Sequence, residues 1–166
     1  ARNTEIILKA LQIWGGRVVI GRGWGGIRAE DLPETVYSIG KAPHSKLFEH
    51  VRAVVHHGGA GTMHTGLYAG KPTFVVPQFF DQPYWGRRVF ELGCGPPPVR
   101  LRKLTPGILA AALEELGTDK SYEVAARELK ERLLLEDGTG LAVDVIEETI
   151  AEYPGNSYQQ SMGAAS

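Results

Sequence analysis

The chain has 166 residues, one cysteine and a formal charge of −1, with 43% hydrophobic and 22% charged residues. That length can bury a core without staples, and a lone Cys94 excludes an internal disulfide framework and fits a reducing compartment. The near-neutral balance gives no electrostatic basis for nucleic-acid binding, and no apolar run reaches the roughly 20 residues of a membrane-spanning helix.

The chain opens on ARNTEIILKALQIWGG, which already reads as mid-protein sequence and suggests a piece of something larger. Asn3 or Thr4 is placed to cap a helix whose apolar positions Ile7, Leu8, Leu11 and Trp14 recur at helical spacing, closed by Gly15 and Gly16. A β-branched run over 17–21 predicts a strand, followed by the loop RGWGGIRAEDLPE and a second strand over 36–40. A short helix over 43–51 opens with Pro43, a third strand covers 53–57, and a helix over 61–70 ends at Gly70. A fourth strand over 72–77 is bounded by prolines, and a helix over 83–93 runs from Pro83 to Gly93. The segment GPPPVRLRKL is extended, with at most a short strand near Val99, and three amphipathic helices complete the chain. Residues 1–153 form the expected domain and 154–166 a polar, flexible tail. Short apolar strands alternating with helices predict an α/β, Rossmann-like doubly wound parallel sheet with C-terminal helices. Ligands of such sheets bind beyond the carboxyl ends of the strands.

Two segments at those ends carry chemistry. HHGGAGT (56–62) joins a strand to a helix, and that arrangement directs free N–H groups and a favourable dipole at an anion. Gly58, Gly59 and Gly61 would let a diphosphate approach the backbone, with a hydroxyl from Thr62 and an imidazole N–H from His57. The competing interpretation is a tight turn whose histidines only cap it, and neither phosphate-loop pattern fits, since no Lys-Ser/Thr follows and His64 stands where a third glycine is needed. Strand alternation sends His56 and His57 to opposite faces, which separates them as metal ligands. No carboxylate or cysteine lies nearby at metal-ligand spacing, so no metal is expected, and no cofactor is assigned. The second segment is QFFDQP, where Asp81 or Gln82 before Pro83 is either a helix cap or a pair of acceptors and donors for adjacent hydroxyls. Trp14 and Trp85 read as core residues, whereas Trp24 lies between glycines in a loop. Cys94 reads as a small buried hydrophobe.

PHSKLF, AVVHHGGAGT, GLYAGKPT, PQFFDQPYWG and LGCGPPP occur in that order within residues 17–116. Together they resemble the donor-binding half of a GT-B glycosyltransferase of family 1, in the sterol 3β-glucosyltransferase-like group and related bacterial enzymes of natural products. The resemblance implies a UDP-sugar donor, usually UDP-glucose. It implies diphosphate contacts from His57, Gly59, Ala60, Gly61 and Thr62, and sugar contacts from Asp81 and Gln82. It also implies a nucleobase lying against Ala42, Pro43 and His44, with Trp24 bordering the pocket. Lys41 and Thr65 stand where plant members carry a stacking tryptophan and a ribose-binding glutamate, which leans toward the sterol-type or bacterial branch.

The same resemblance implies an inverting, metal-independent transfer to a sterol, lipid or other aglycone hydroxyl. Its acceptor site and catalytic base belong to an N-terminal domain absent from this chain, so no catalytic residue is assigned here. The isolated chain should bind UDP or a UDP-sugar and transfer nothing. A non-catalytic donor-binding subunit of a split enzyme, and a UDP-sugar epimerase-like enzyme, are the alternatives. A cytoplasmic location, peripheral to membranes in a full-length protein, is the accompanying expectation.

Overall fold

The computed structural model describes residues 2–21 and 32–152. Its contacts divide the chain into two compact units, 1–133 and 134–166. The first unit begins with α1 (Arg2–Trp14), β1 (Val18–Gly21), β2 (Val36–Ile39) and α2 (His44–Glu49). It continues through β3 (Val54–His56), α3 (Ala60–Tyr68), β4 (Thr73–Val75) and α4 (Gln82–Glu91). A 3-10 turn (Leu101–Lys103), α5 (Pro106–Thr118) and α6 (Lys120–Leu134) follow, and α7 (Gly138–Glu152) belongs to the second unit. The expected first helix is present as α1, but Asn3 and Thr4 lie inside it rather than at its cap, because the helix already runs from Arg2. Residues 154–166 of the expected tail, and Trp24, lie outside the described residues.

All the described strands are parallel. Val18 to Gly21 register with Val36 to Ile39, and Val54 to His56 with Thr73 to Val75, in two hydrogen-bonded pairs. The proline-rich stretch supplies a further extended segment along β4. Thr73 N–H donates to the Cys94 carbonyl (2.8 Å), Val99 N–H to the Val75 carbonyl (3.2 Å) and Leu101 N–H to the Pro77 carbonyl (3.1 Å). Three consecutive prolines lack the N–H groups a regular ladder uses, so this edge bonds only on either side of them. Gly95 fits because it has no side chain, since a Cβ there would stand 1.9 Å from the Thr73 carbonyl oxygen.

Alternation along β4 makes the fold doubly wound. Phe74 and Val76 pack with Ile6 and Ala10 of α1 and Leu109, Ala110, Ala112 and Leu116 of α5. Val75 points the other way, into Met63 and Leu67 of α3, Val89 of α4, Cys94 and Ala126 of α6. A strand buried on both faces needs a continuous apolar run, which is why TFVV carries no polar alternation except the buried Thr73. Thr73 meets its own polar demand by donating to the Lys71 carbonyl (3.1 Å). Trp14 and Trp85 pack against these two cores, partly buried, and Trp14 donates its indole N–H to Glu114 (3.1 Å). Cys94 is fully buried, and loss of hydration pushes its thiol up to about 11, so it is a neutral packing group near pH 7.

Candidate functional site

The segments after β2, β3 and β4 all emerge at the carboxyl ends of the strands, and they carry every described candidate residue. After β3 the chain turns through His57, Gly58 and Gly59 into α3. Gly58 holds φ +92°, and a Cβ on it would lie 2.7 Å from Val75 Cγ1 and 3.1 Å from the Gln82 carbonyl oxygen. The turn is therefore pressed against β4 and the start of α4, and only glycine fits it without strain. Gly59 occupies the N-cap position with no side-chain hydrogen bond to the helix. The first backbone bond back to the turn is Met63 N–H to the Gly59 carbonyl (3.0 Å), which leaves the amides of Ala60, Gly61 and Thr62 without an intrahelical partner. Nothing stands within 4 Å of the place a Cβ would occupy on Gly61.

The two histidines face differently. His57 is exposed, and its Nε2 lies 2.6 Å from where a Gly59 Cβ would be, so the ring rests over the helix start. His56 turns inward, its Nδ1 accepting the Gly58 N–H at 2.9 Å and its Nε2 buried without a hydrogen-bond partner. Burial lowers its pKa to about 4, with smaller contributions from the neighbouring His57 and His44. The two rings stand 6.2 Å apart and nearly perpendicular. Among the described residues, no group of three or more His, Cys, Asp or Glu side chains comes together as a metal site.

The loop after β4 does not use Asp81 as a simple helix cap. Asp81 stands at the N-cap of α4 in a helical conformation and makes no capping bond. One of its carboxylate oxygens instead accepts the Trp85 indole N–H at 2.7 Å, and Trp85 meets His64 of α3 edge-on at 5.5 Å. Gln82 is only 5% exposed, and its Oε1 accepts the N–H groups of Gln78 (2.8 Å) and Phe79 (3.2 Å). Its acceptor is committed to holding the loop, so any ligand contact falls to its Nε2 amide. Phe80, just before Asp81, takes φ +51° with 89% of its surface exposed. A left-handed backbone costs an L-residue about 1–2 kcal/mol, partly offset in glycine by its larger unfolded-state entropy. Phe80→Gly is therefore expected to raise stability by roughly 0.5–1 kcal/mol, read as a higher urea midpoint, and a lower midpoint would exclude strain at this position.

Ala42, Pro43 and His44 are exposed at the start of α2, where His44 stacks on Phe48 at 5.0 Å. Helix α2 packs beside α3, and His44 is close enough to His56 to bias its protonation, so the segment after β2 borders the glycine turn. Sequence reasoning missed the His56 link to Gly58 and the inward Gln82. The i to i+2 and i to i+4 spacings of His56–Gly58 and Gln78–Gln82 were the available signals.

An uncapped, glycine-fronted helix at the strand ends of a doubly wound sheet is where such folds receive anionic ligands. Residues 17–148 match the model of the erythromycin biosynthesis protein CIII-like C-terminal domain, and the chain belongs to that family. Over 145 residues it is 42% identical to a sterol 3-beta-glucosyltransferase of Arabidopsis thaliana, covering 86% of this chain and 23% of that protein. A sterol 3-beta-glucosyltransferase of Kluyveromyces lactis is 35% identical over 153 residues, 87% of this chain and 12% of the relative. The chain thus spans less than a quarter of the length of these relatives. Among solved structures, the glycotransferase of kitacinnamycin superposes with a TM-score of 0.71 at 29% identity, over 84% of this chain and 38% of that one. The glycosyltransferase VinC in complex with dTDP superposes with a TM-score of 0.72 at 27% identity, over 87% and 37%. These neighbours have the GT-B architecture that the sequence resemblance implied. Among the described residues, no helix is long and apolar enough to cross a membrane.

Proposed function

We propose that the chain is the donor-binding domain of an inverting, metal-independent glycosyltransferase that takes UDP-glucose and glucosylates a sterol-like hydroxyl. The observation that carries this reading is the start of α3, where three unpartnered amides follow a glycine turn beneath an exposed His57. Departure of the nucleoside diphosphate builds negative charge on the phosphate oxygens. Preorganised amides at a helix N-terminus and an imidazole N–H stabilise that charge without a cation. The open space at Gly61 gives a phosphate room to reach the backbone.

The remaining contacts follow from the same placement. The free Asp81 carboxylate oxygen and the Gln82 Nε2 amide are an acceptor and a donor for sugar hydroxyls, with Trp85 fixing the carboxylate. The exposed segment Ala42–His44 borders the nucleobase. The acceptor pocket and the base that deprotonates the acceptor hydroxyl come from the remainder of a longer protein. The sterol acceptor is supported by the names of the relatives, and UDP by the family resemblance.

Calorimetric titration of the chain with UDP and, separately, dTDP tests the proposal. UDP is expected to bind more tightly than dTDP, and no UDP binding at millimolar ligand would sink it. In the same assay His57→Ala is expected to weaken UDP about tenfold, in line with the loss of one hydrogen bond to a charged group, with an unchanged melting temperature.

A further inference from the structure

We propose that His56 is a positioning residue of the diphosphate site, its Nδ1 pinning the left-handed turn at Gly58 that aims the first amides of α3. The inference rests on the donor-site reading given above and extends it to a side chain that touches no donor atom.

Three observations carry it. First, the turn between β3 and α3 has a single side-chain hydrogen bond among the described residues, Gly58 N–H to His56 Nδ1 at 2.9 Å. Second, Gly59 caps α3 with no side chain, so nothing else of that kind fixes the helix entry. Third, the direction of the bond defines the ring's proton. An amide nitrogen only donates, so Nδ1 is bare, and a neutral ring then carries its proton on Nε2. That N–H is buried with no partner, an arrangement the fold would avoid if the ring were only filling space. The alternative tautomer would satisfy neither the Gly58 amide nor the turn. Burial keeps the ring neutral near pH 7, which preserves the acceptor.

The consequence reaches both ligand-facing groups. Gly58 is wedged between Val75 and the Gln82 carbonyl, so pinning its N–H sets where the next two residues lie. His57 precedes Gly58 and rests over Gly59, while Ala60, Gly61 and Thr62 follow as the helix begins. A loosened turn therefore moves the imidazole and the amides apart.

The i to i+2 geometry is the one an asparagine side chain makes in an Asx turn, with Oδ1 in place of Nδ1. His56→Asn should keep the lock and His56→Leu should remove it. In titrations of the 166-residue chain with UDP, corrected for folded fraction, H56N is expected within about threefold of wild type and H56L at least tenfold weaker. H56L binding like wild type, or H56N losing as much as H56L, overturns the positioning role. Wild-type chain that binds no UDP removes the donor reading and this inference with it, a different outcome from either. If H56L does not fold, nitrogen NMR of the wild type decides. A protonated Nε2 and bare Nδ1 at pH 7 support the lock, and a proton on Nδ1 overturns it.

Discussion

Gly58→Ala is expected to destabilise the chain by about 3–4 kcal/mol, whereas Gly61→Ala, three residues on, leaves stability unchanged or slightly raised. Alanine at φ +92° meets the left-handed penalty of about 1–2 kcal/mol for an L-residue. Its Cβ would also fall 2.7 Å from Val75 Cγ1 and 3.1 Å from the Gln82 carbonyl oxygen. Val75 is 1% exposed and locked between α3 and α4, so it has little room to yield, and overpacking adds about 1–3 kcal/mol. The total is a large share of the roughly 5–15 kcal/mol typical of a domain. At Gly61 a Cβ meets nothing within 4 Å and the residue is already helical, where alanine outranks glycine. The donor reading adds a second expectation, that G61A binds UDP more weakly despite its intact fold, because its methyl occupies the phosphate's approach. Urea denaturation of both variants and UDP titration of G61A provide the readouts. A Gly58→Ala loss below about 1 kcal/mol would show that the turn relaxes freely.

These glycines also mark how far the sequence could be read. Three glycines within four residues pointed to a turn with close backbone approach, and the turn is there. The sequence could not say that Gly58 serves the fold while Gly61 stands open, because that division depends on Val75 and Gln82 arriving from β4 and α4. The alternation that sent His56 and His57 to opposite faces was legible, since period-two geometry is local. Equally legible were the strands and helices themselves, punctuated by Gly70, Gly93 and the prolines around TFVV, with ends displaced by a residue or two.

The loop after β4 was less legible because its contacts are made by the fold of the loop itself. Asp81 has the residue type and position of a helix cap, yet its carboxylate takes the Trp85 indole one turn ahead. Gln82 reads as a free amide, yet its oxygen is consumed by two backbone donors. Nothing in local propensity places a phenylalanine at positive φ, so Phe80 was invisible until the backbone was known.

Acid is expected to destabilise the chain through His56, with the loss concentrated between pH 6.5 and about 4. In the unfolded chain the imidazole titrates near 6.5, whereas burial among β3 and the glycine turn, beside His57 and His44, holds it neutral down to about 4. Within that interval the unfolded state binds the extra proton, so stability falls as pH falls. The contribution is fully present above 6.5 and exhausted below about 4. Its size follows from the interval, about 3 kcal/mol at most and roughly 2–3 kcal/mol by pH 4.5. Protonation also reaches the Nδ1 lone pair that holds Gly58, so the charged ring loses its hydrogen bond as well as its burial. Urea unfolding at pH 7.5 and 4.5, compared between wild type and His56→Asn, isolates this contribution from the exposed histidines. Wild type should lose roughly 2–3 kcal/mol more than H56N over that range. Equal losses would mean that His56 is already charged or solvated in the native fold, and the buried-imidazole account of the turn would fall with them.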